Sequence, residues 1–79
     1  MKIQVKFFGP AAEKAGRADL IVESKGSVGA VVEQVLKELP DLKSFGTTMK
    51  YARNTNYATL ETPLEEGDTL SFLPPVGGG

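Results

Sequence analysis

The N-terminal segment alternates strictly between apolar and polar residues. Apolar side chains stand at three alternate positions: Ile3, Val5 and Phe7. An alternation of period two is typical of a half-buried strand, and it predicts one over residues 2–7. Phe8 then places an aromatic ring on the otherwise polar face, and Gly9-Pro10 predicts the end of the strand.

A second alternation follows after a short interruption. Residues 11–15 predict a brief helical turn that stops at Gly16. Within residues 19–23, Leu20 and Val22 share one face and Ile21 points to the other. We therefore expect a second strand there, joined to the first through the helical turn.

The strongest periodicity lies in the middle of the chain. Apolar residues recur there at spacings of three and four: Val28, Val31, Val32, Val35, Leu36 and Leu39. This is one apolar stripe on a period of about 3.6 residues, which predicts an amphipathic helix. Ser27 supplies a hydroxyl for the N-cap, and Pro40 ends the helix. Because valines and Gly29 give poor helix propensity, packing against a sheet must stabilise it.

The remaining elements are shorter. Residues 41–48 predict a loop or a single helical turn. Three more strands are predicted over residues 49–53, 57–60 and 69–73, with turns at 54–56 and 63–68. In the last strand, Leu70 and Phe72 share one face and Leu73 lies on the other. The order β-β-α-β-β-β predicts an α+β protein of the β-grasp (ubiquitin-like) fold, a mixed sheet of about five strands with one main helix on one face.

Composition narrows the possible functions. The chain has 79 residues, a formal net charge of -1, and no Cys, His or Trp. We expect one small domain over residues 1–76 and a flexible glycine tail over residues 77–79. The absence of Cys excludes disulfides and zinc fingers, and the absence of His excludes histidine-based triads and imidazole metal sites. The balanced charge argues against nucleic acid as a partner, and the lack of a long apolar run argues against a membrane. We expect a cytoplasmic protein.

The body of the chain offers little catalytic chemistry. Glu65, Glu66 and Asp68 supply carboxylates for a weak cation site, but the spacing lacks the ligands of a calcium loop. We interpret them as a solvated turn and expect no metal. Lys43 and Ser44 are formally a base and a nucleophile. Neighbours in sequence, however, need not have the distance and orientation that nucleophilic catalysis requires. We therefore expect no catalytic site belonging to this chain alone.

The glycine tail is the unusual feature. Gly77, Gly78 and Gly79 have no Cβ atoms, so the segment is thin enough to enter a narrow channel. Pro74 and Pro75 stiffen the stem before it. The reactive group would be the carboxylate of Gly79, which becomes electrophilic once ATP converts it to an acyl-adenylate. A sulfur donor would then give a thiocarboxylate, and an amine would give an amide. The alternative is a frayed tail without function.

A second candidate is an apolar patch beside the tail. Phe8, Tyr57 and Leu73 each fall on the outward face of a predicted strand. Together with the Pro74-Pro75-Val76 stem they predict a surface that binds a partner protein. The alternative is that these are scattered exposed apolar residues, which are common on soluble proteins.

The C-terminal residues resemble a known signature. The string from Gly67-Asp68 through the apolar strand to Pro74-Pro75-Val76 and the terminal glycines is similar to that of the MoaD/ThiS sulfur-carrier family. Val5-Lys6-Phe7-Phe8 and Arg53-Asn54 also resemble family positions. The likeness covers the whole chain, and the Pro-Pro-Val stem favours the molybdopterin branch over the thiamine branch.

The resemblance implies a specific chemistry. An ATP-dependent adenylating enzyme would activate Gly79, and sulfur transfer would give a C-terminal thiocarboxylate. The loaded tail would then enter the large subunit of molybdopterin synthase, a heterotetramer, and convert precursor Z to molybdopterin. It implies no bound cofactor, and it implies that catalytic side chains belong to the large subunit. Leu73 and Tyr57 fall at family docking positions.

Some positions depart from the family pattern. Ala12 stands where the family often has an arginine, and Arg53 stands where an apolar residue is common. Three alternatives stay open: a protein modifier conjugated through Gly79, a sulfur carrier for another product such as thiazole or a tungsten cofactor, and a plain binding domain.

Overall fold

The computed structural model describes residues 1–75, so Val76 and the three glycines that follow lie outside the described residues. Within residues 1–75 the elements are β1 (Lys2–Phe7), α1 (Pro10–Ala15), β2 (Asp19–Glu23), α2 (Val28–Glu38), a 3-10 segment (Pro40–Thr48), β3 (Lys50–Arg53), β4 (Asn56–Ala58) and β5 (Thr69–Leu73). The predicted β-grasp fold is confirmed. No helix in this part of the chain is both long enough and apolar enough to cross a membrane.

The five strands form one mixed sheet in the order β2-β1-β5-β3-β4. The central pair, β1 and β5, is parallel, and every other neighbouring pair is antiparallel. Because parallel strands end at the same edge of a sheet, the residues that follow β1 and β5 lie side by side. This pairing brings Phe8 close to the exit of the C-terminal stem.

The core lies between the inner face of the sheet and the helices. Ile3, Val5 and Phe7 are buried while the residues between them are exposed, as the alternation predicts. Phe72 is fully buried at the centre of the sheet. Its ring contacts Phe7 and Tyr51 edge to face, with centroid separations of 5.3 Å and 5.1 Å. Such aromatic contacts add to the free energy of burying the rings.

Helix α2 begins where the sequence predicts. The Ser27 hydroxyl accepts a hydrogen bond from the Ala30 N–H at 3.4 Å, which satisfies one donor of the first turn. The Gly29 N–H donates to the Leu60 carbonyl at 2.8 Å. A Cβ at Gly29 would lie only 3.1 Å from that same carbonyl oxygen. Gly29 therefore suits this position, because a side chain here would press against the loop backbone that crosses the helix.

Two predicted segments differ in detail. Residues 41–48 do not form a loop or one turn; they belong to the nine-residue 3-10 segment, which breaks at Gly46 where φ is 55°. Leu42 anchors that segment because its side chain is buried in the core. The fourth strand is Asn56–Ala58, so Leu60 lies in the following turn and is exposed.

Candidate functional site

A shallow apolar groove lies at the edge of the sheet where β1 and β5 end. We call it the exit groove, and its volume is about 350 Å³. Its lining residues come from four parts of the chain: Phe8, Gly9, Pro10, Lys50, Tyr57, Leu73, Pro74 and Pro75. The parallel pairing of β1 with β5 and the antiparallel pairing of β3 with β5 bring these parts together. Residues far apart in sequence thus share one surface.

Three apolar side chains dominate this part of the outer sheet face, and we call them the docking face: Phe8, Tyr57 and Leu73. Tyr57 is 83% exposed and Phe8 is 46% exposed, whereas Leu73 is half-buried. The sequence predicts all three as outward residues, and the structure brings them together. Large exposed apolar side chains that line one depression are typical of a surface that a partner covers.

Small side chains between the aromatic residues make the face concave. Ala52 pairs with Tyr57 on one side and with Ser71 on the other, so these three residues form a row across β4, β3 and β5. A second depression of about 330 Å³ lies over Ala52 and Ser71, and it shares Phe8, Tyr57 and Leu73 with the exit groove. The docking face is therefore a surface with two neighbouring depressions.

The C-terminal stem leaves the domain beside this face. Pro74 is buried and Pro75 is exposed, and both line the exit groove. Proline fixes φ, so the direction in which the chain leaves β5 is restricted. The predicted site residues Val76, Gly77, Gly78 and Gly79 lie outside the described residues. Pro75, the last described residue, therefore lies beside the docking face.

Sequence reasoning missed one charged residue of the groove. Lys50 lines it because Lys50 is the register partner of Leu73 in the β3–β5 ladder. Its side chain is exposed. Alternation within β3 signals its outward position, but only the strand order reveals that the lysine stands beside the stem. Gly9 and Pro10 also line the groove, although their sequence indicates only a turn.

A polar cluster holds the opposite end of β5, and we call it the Asp68 clamp. Asp68 is only 8% exposed. Its carboxylate accepts hydrogen bonds from Arg53 Nε at 2.7 Å, from Asn54 Nδ2 at 3.2 Å and from the Glu65 N–H at 2.8 Å. Asn54 also accepts a hydrogen bond from the Thr69 N–H at 3.0 Å. The clamp thus ties the turn before β5 to the end of β3.

The clamp corrects the interpretation of residues 65–68 as a solvated turn. The hydrogen bond from the Glu65 N–H, together with those from Asn54 and Arg53, lowers the pKa of Asp68, although burial opposes the shift. Glu65 and Glu66 are exposed as predicted, but Asp68 is a structural residue. Among residues 1–75, no group of three or more His, Cys, Asp or Glu side chains is placed to hold a metal ion. In the sequence, the adjacent Arg53 and Asn54 mark one side of this cluster, but only the fold shows that they bind Asp68.

The Lys43-Ser44 pair gives no nucleophile geometry. The Ser44 hydroxyl donates a hydrogen bond to the Asp41 carbonyl at 3.0 Å, within the same 3-10 segment. The bond is of the ordinary kind that a serine makes to a carbonyl three residues earlier in a helix. The structure therefore gives no support for a catalytic serine here.

Comparison with known proteins agrees with these features. The model of the ThiS family matches residues 5–79, nearly the whole chain. The chain is 32% identical to a protein of Mycobacterium tuberculosis described as a molybdopterin synthase sulfur carrier subunit, and the match covers 100% of this chain and 99% of that protein.

Two solved structures share the fold over the full length of both chains. The crystal structure of small archaeal modifier protein 1 from Haloferax volcanii has a TM-score of 0.88 and 29% identity. The complex of subunits 1 and 2 of the molybdopterin-converting factor from Helicobacter pylori contains a chain with a TM-score of 0.74 and 31% identity. The chain therefore belongs to the ThiS family and is a β-grasp sulfur carrier of the MoaD/ThiS type.

Proposed function

We propose that this chain is the sulfur-carrying small subunit of a molybdopterin synthase. The observation that carries the proposal is the exit of the Pro74-Pro75 stem beside an exposed docking face. A carrier needs this arrangement, because a partner that binds the docking face then also receives the tail. The full-length likeness to the Mycobacterium tuberculosis sulfur carrier subunit supports the choice of pathway.

The proposed chemistry takes place at the carboxylate of Gly79. A carboxylate oxygen attacks the α-phosphorus of ATP on an adenylating enzyme, and pyrophosphate leaves. A donor at the oxidation level of sulfide then attacks the acyl carbon, and AMP leaves. The product is a thiocarboxylate, which delivers its sulfur to precursor Z in the large subunit. ATP belongs to the activating partner, and this chain holds no cofactor of its own.

The proposed partners follow from the same surface. The Helicobacter pylori chain that resembles this one is found in a complex of subunits 1 and 2. We propose that the large synthase subunit covers the docking face and supplies the catalytic side chains. In the complete synthase two such carriers would flank a dimer of large subunits. The adenylating enzyme would use the same face at another stage, because both partners must receive the same tail.

Intact mass spectrometry tests the sulfur-carrier chemistry. The chain is incubated with ATP, an adenylating enzyme proven active on a related carrier, and a sulfide donor. The expected result is a mass gain equal to replacing one oxygen by one sulfur. Adding the large subunit and precursor Z should then return the mass to its starting value and yield molybdopterin. A carrier that never gains mass would contradict the proposal.

A deletion of Gly79 locates the reaction. This variant should show no mass gain, since the acceptor carboxylate is displaced from its proper position. Its melting temperature should equal that of the wild type. The matched control is Lys25→Gln in the exposed turn before α2, which should gain mass as the wild type does. Equal loading of the deletion variant would show that loading does not depend on Gly79.

A protein modifier is the second candidate. The observation that favours it is the TM-score of 0.88 to a small archaeal modifier protein, a closer structural match than the chain in the synthase complex gives. In that case a lysine amine, rather than sulfide, attacks the adenylated Gly79 and forms an isopeptide bond. Glycine remnants on lysines of cellular proteins, lost when Gly79 is deleted, would identify this activity. A thiazole product in place of molybdopterin would instead indicate a carrier for thiamine.

A further inference from the structure

The basic residues of the sheet lie on β1 and β3, and its acidic residues lie on the edge strand β2. The strands β1, β5, β3 and β4 carry four cationic residues and no Asp or Glu, although the chain as a whole has a net charge of -1. The cationic residues are Lys2, Lys6, Lys50 and Arg53. The acidic residues lie on the edge strand β2, on the helices and in the turns. Lys6 and Lys50 lie on the outer face, whereas Arg53 is the register partner of the buried Leu70 and lies on the inner face. On β1, β5 and β3, the outer face beside the docking face therefore carries basic but no acidic side chains.

Two of these lysines flank the docking face. Lys6 is the register partner of Ser71 in β5, and Lys50 is the register partner of Leu73 in the same strand. Alternation along the strands puts both lysines on the outer face with Tyr57 and Leu73. Their ammonium groups thus stand on either side of the strand that ends in the stem.

Both charges are available to a partner. Arg53 is engaged by Asp68 and Glu65, and the backbone N–H of Lys2 donates to the Glu66 carboxylate, which places an acidic group near that end of the sheet. Within residues 1–75, neither Lys6 nor Lys50 forms an ion pair, even though Asp19 is the register neighbour of Lys6.

We infer that the docking face binds a partner surface on which carboxylates surround an apolar projection. The projection fills the depressions between Phe8, Tyr57 and Leu73, and the carboxylates face Lys6 and Lys50. This inference rests on the proposed function, because a carrier must bind the enzymes that load and unload its tail. Charges at the rim of an interface act chiefly on the rate of association, while the apolar anchors govern dissociation.

The test compares two double variants of equal net charge. Lys6→Gln with Lys50→Gln removes the two charges of the docking face. The control, Lys25→Gln with Lys43→Gln, removes two exposed charges from the turn before α2 and from the 3-10 segment. Stopped-flow association with the large synthase subunit is measured from about 0.01 M to about 1 M NaCl, over which the Debye length falls from about 30 Å to about 3 Å.

The wild type and the control should associate quickly at low salt and slow steeply as salt rises. The docking-face variant should associate about tenfold more slowly at low salt and depend much less on salt, with a dissociation rate within about twofold of the wild type. Equal salt dependence in the two double variants would overturn the inference. Failure of the wild type to bind the large subunit would also overturn it, and the mass gain at Gly79 would still report separately on the carrier function.

Discussion

The two ends of β5 differ in how their side chains are used. At its start, the buried carboxylate of Asp68 is held by donors from Arg53, Asn54 and Glu65. At its end, Leu73 and the neighbouring Tyr57 leave apolar surface open beside the stem. The five residues of β5 thus connect a polar cluster that stabilises the fold to the apolar surface that we propose a partner binds.

The start of β5 therefore contributes to the stability of the fold, and its end contributes the surface that we propose binds a partner. An exposed apolar face gives the free protein little stability, because those side chains still contact water. The strand must nevertheless stay paired in the free protein. Hydrogen bonds to the buried carboxylate at its start stabilise that pairing away from the docking face. Changes at one end should therefore leave the property of the other end intact.

A change in the middle of β5 should damage both ends. Phe72→Ala removes a fully buried ring that contacts Phe7 and Tyr51, so we expect a loss of about 3–5 kcal/mol in the free energy of unfolding. Urea denaturation measures it. Phe8→Ala is the matched control, because Phe8 is exposed and should cost less than about 1 kcal/mol. Equal losses in the two variants would show that Phe72 does not anchor the sheet.

A change at the start of β5 should reduce stability and leave docking unaltered. Asp68→Asn keeps the shape of the side chain but removes the charge that Arg53 and the Glu65 N–H bind, so we expect a loss of about 1.5–3 kcal/mol. Asp41→Asn is the control, since Asp41 is an exposed carboxylate at the start of the 3-10 segment. Affinity for the large subunit, measured where both variants are folded, should match the wild type.

The pH dependence of this effect has a definite sign. The pKa of Asp68 is lowered in the folded state, so the unfolded chain binds a proton more readily than the native protein does. The stabilisation is therefore complete above the ordinary carboxyl pKa of about 3.9 and is lost as the pH falls through the lower folded pKa. Urea titrations from about pH 7 to about pH 2 should show the wild type and Asp68→Asn converging in acid. A constant difference would contradict the assignment.

Much of the fold could be predicted because burial alternates with period two in the strands and near 3.6 in α2. Ile3, Val5 and the valines of α2 are buried where those periods put them. The 3-10 segment could not be predicted, since it is stabilised by one buried side chain, Leu42, and by a kink at Gly46 rather than by a repeating pattern. Tertiary contacts decide such segments.

The docking face could be predicted residue by residue, but its assembly could not. Alternation shows that Leu73 and Tyr57 point outward, and the glycine string marks the tail. That Lys50 stands beside Leu73, or that Asp68 meets Arg53, depends on the pairing of β3 with β5. The local sequence of a strand does not determine which residues of a distant strand it pairs with. The electrostatic character of the site therefore emerges only from the sheet order.

A change at the end of β5 should have the smallest effect on the fold and a large effect on docking. Leu73→Asp places a carboxylate on the half-buried outer face opposite Lys50, where an ion pair offsets part of the lost packing, so the free energy of unfolding should change by less than about 1 kcal/mol. The same carboxylate sits where the partner's apolar projection would bind, so the Kd for the large subunit should rise at least about tenfold. Isothermal titration calorimetry and urea denaturation measure the two quantities.

Ile21→Asp is the control, because it introduces the same change on the outer face of β2, where Ile21 is 68% exposed and far from the stem. Its Kd for the large subunit should equal that of the wild type. If both variants weaken binding equally, the partner covers the whole sheet, and the division between the two ends of β5 does not hold.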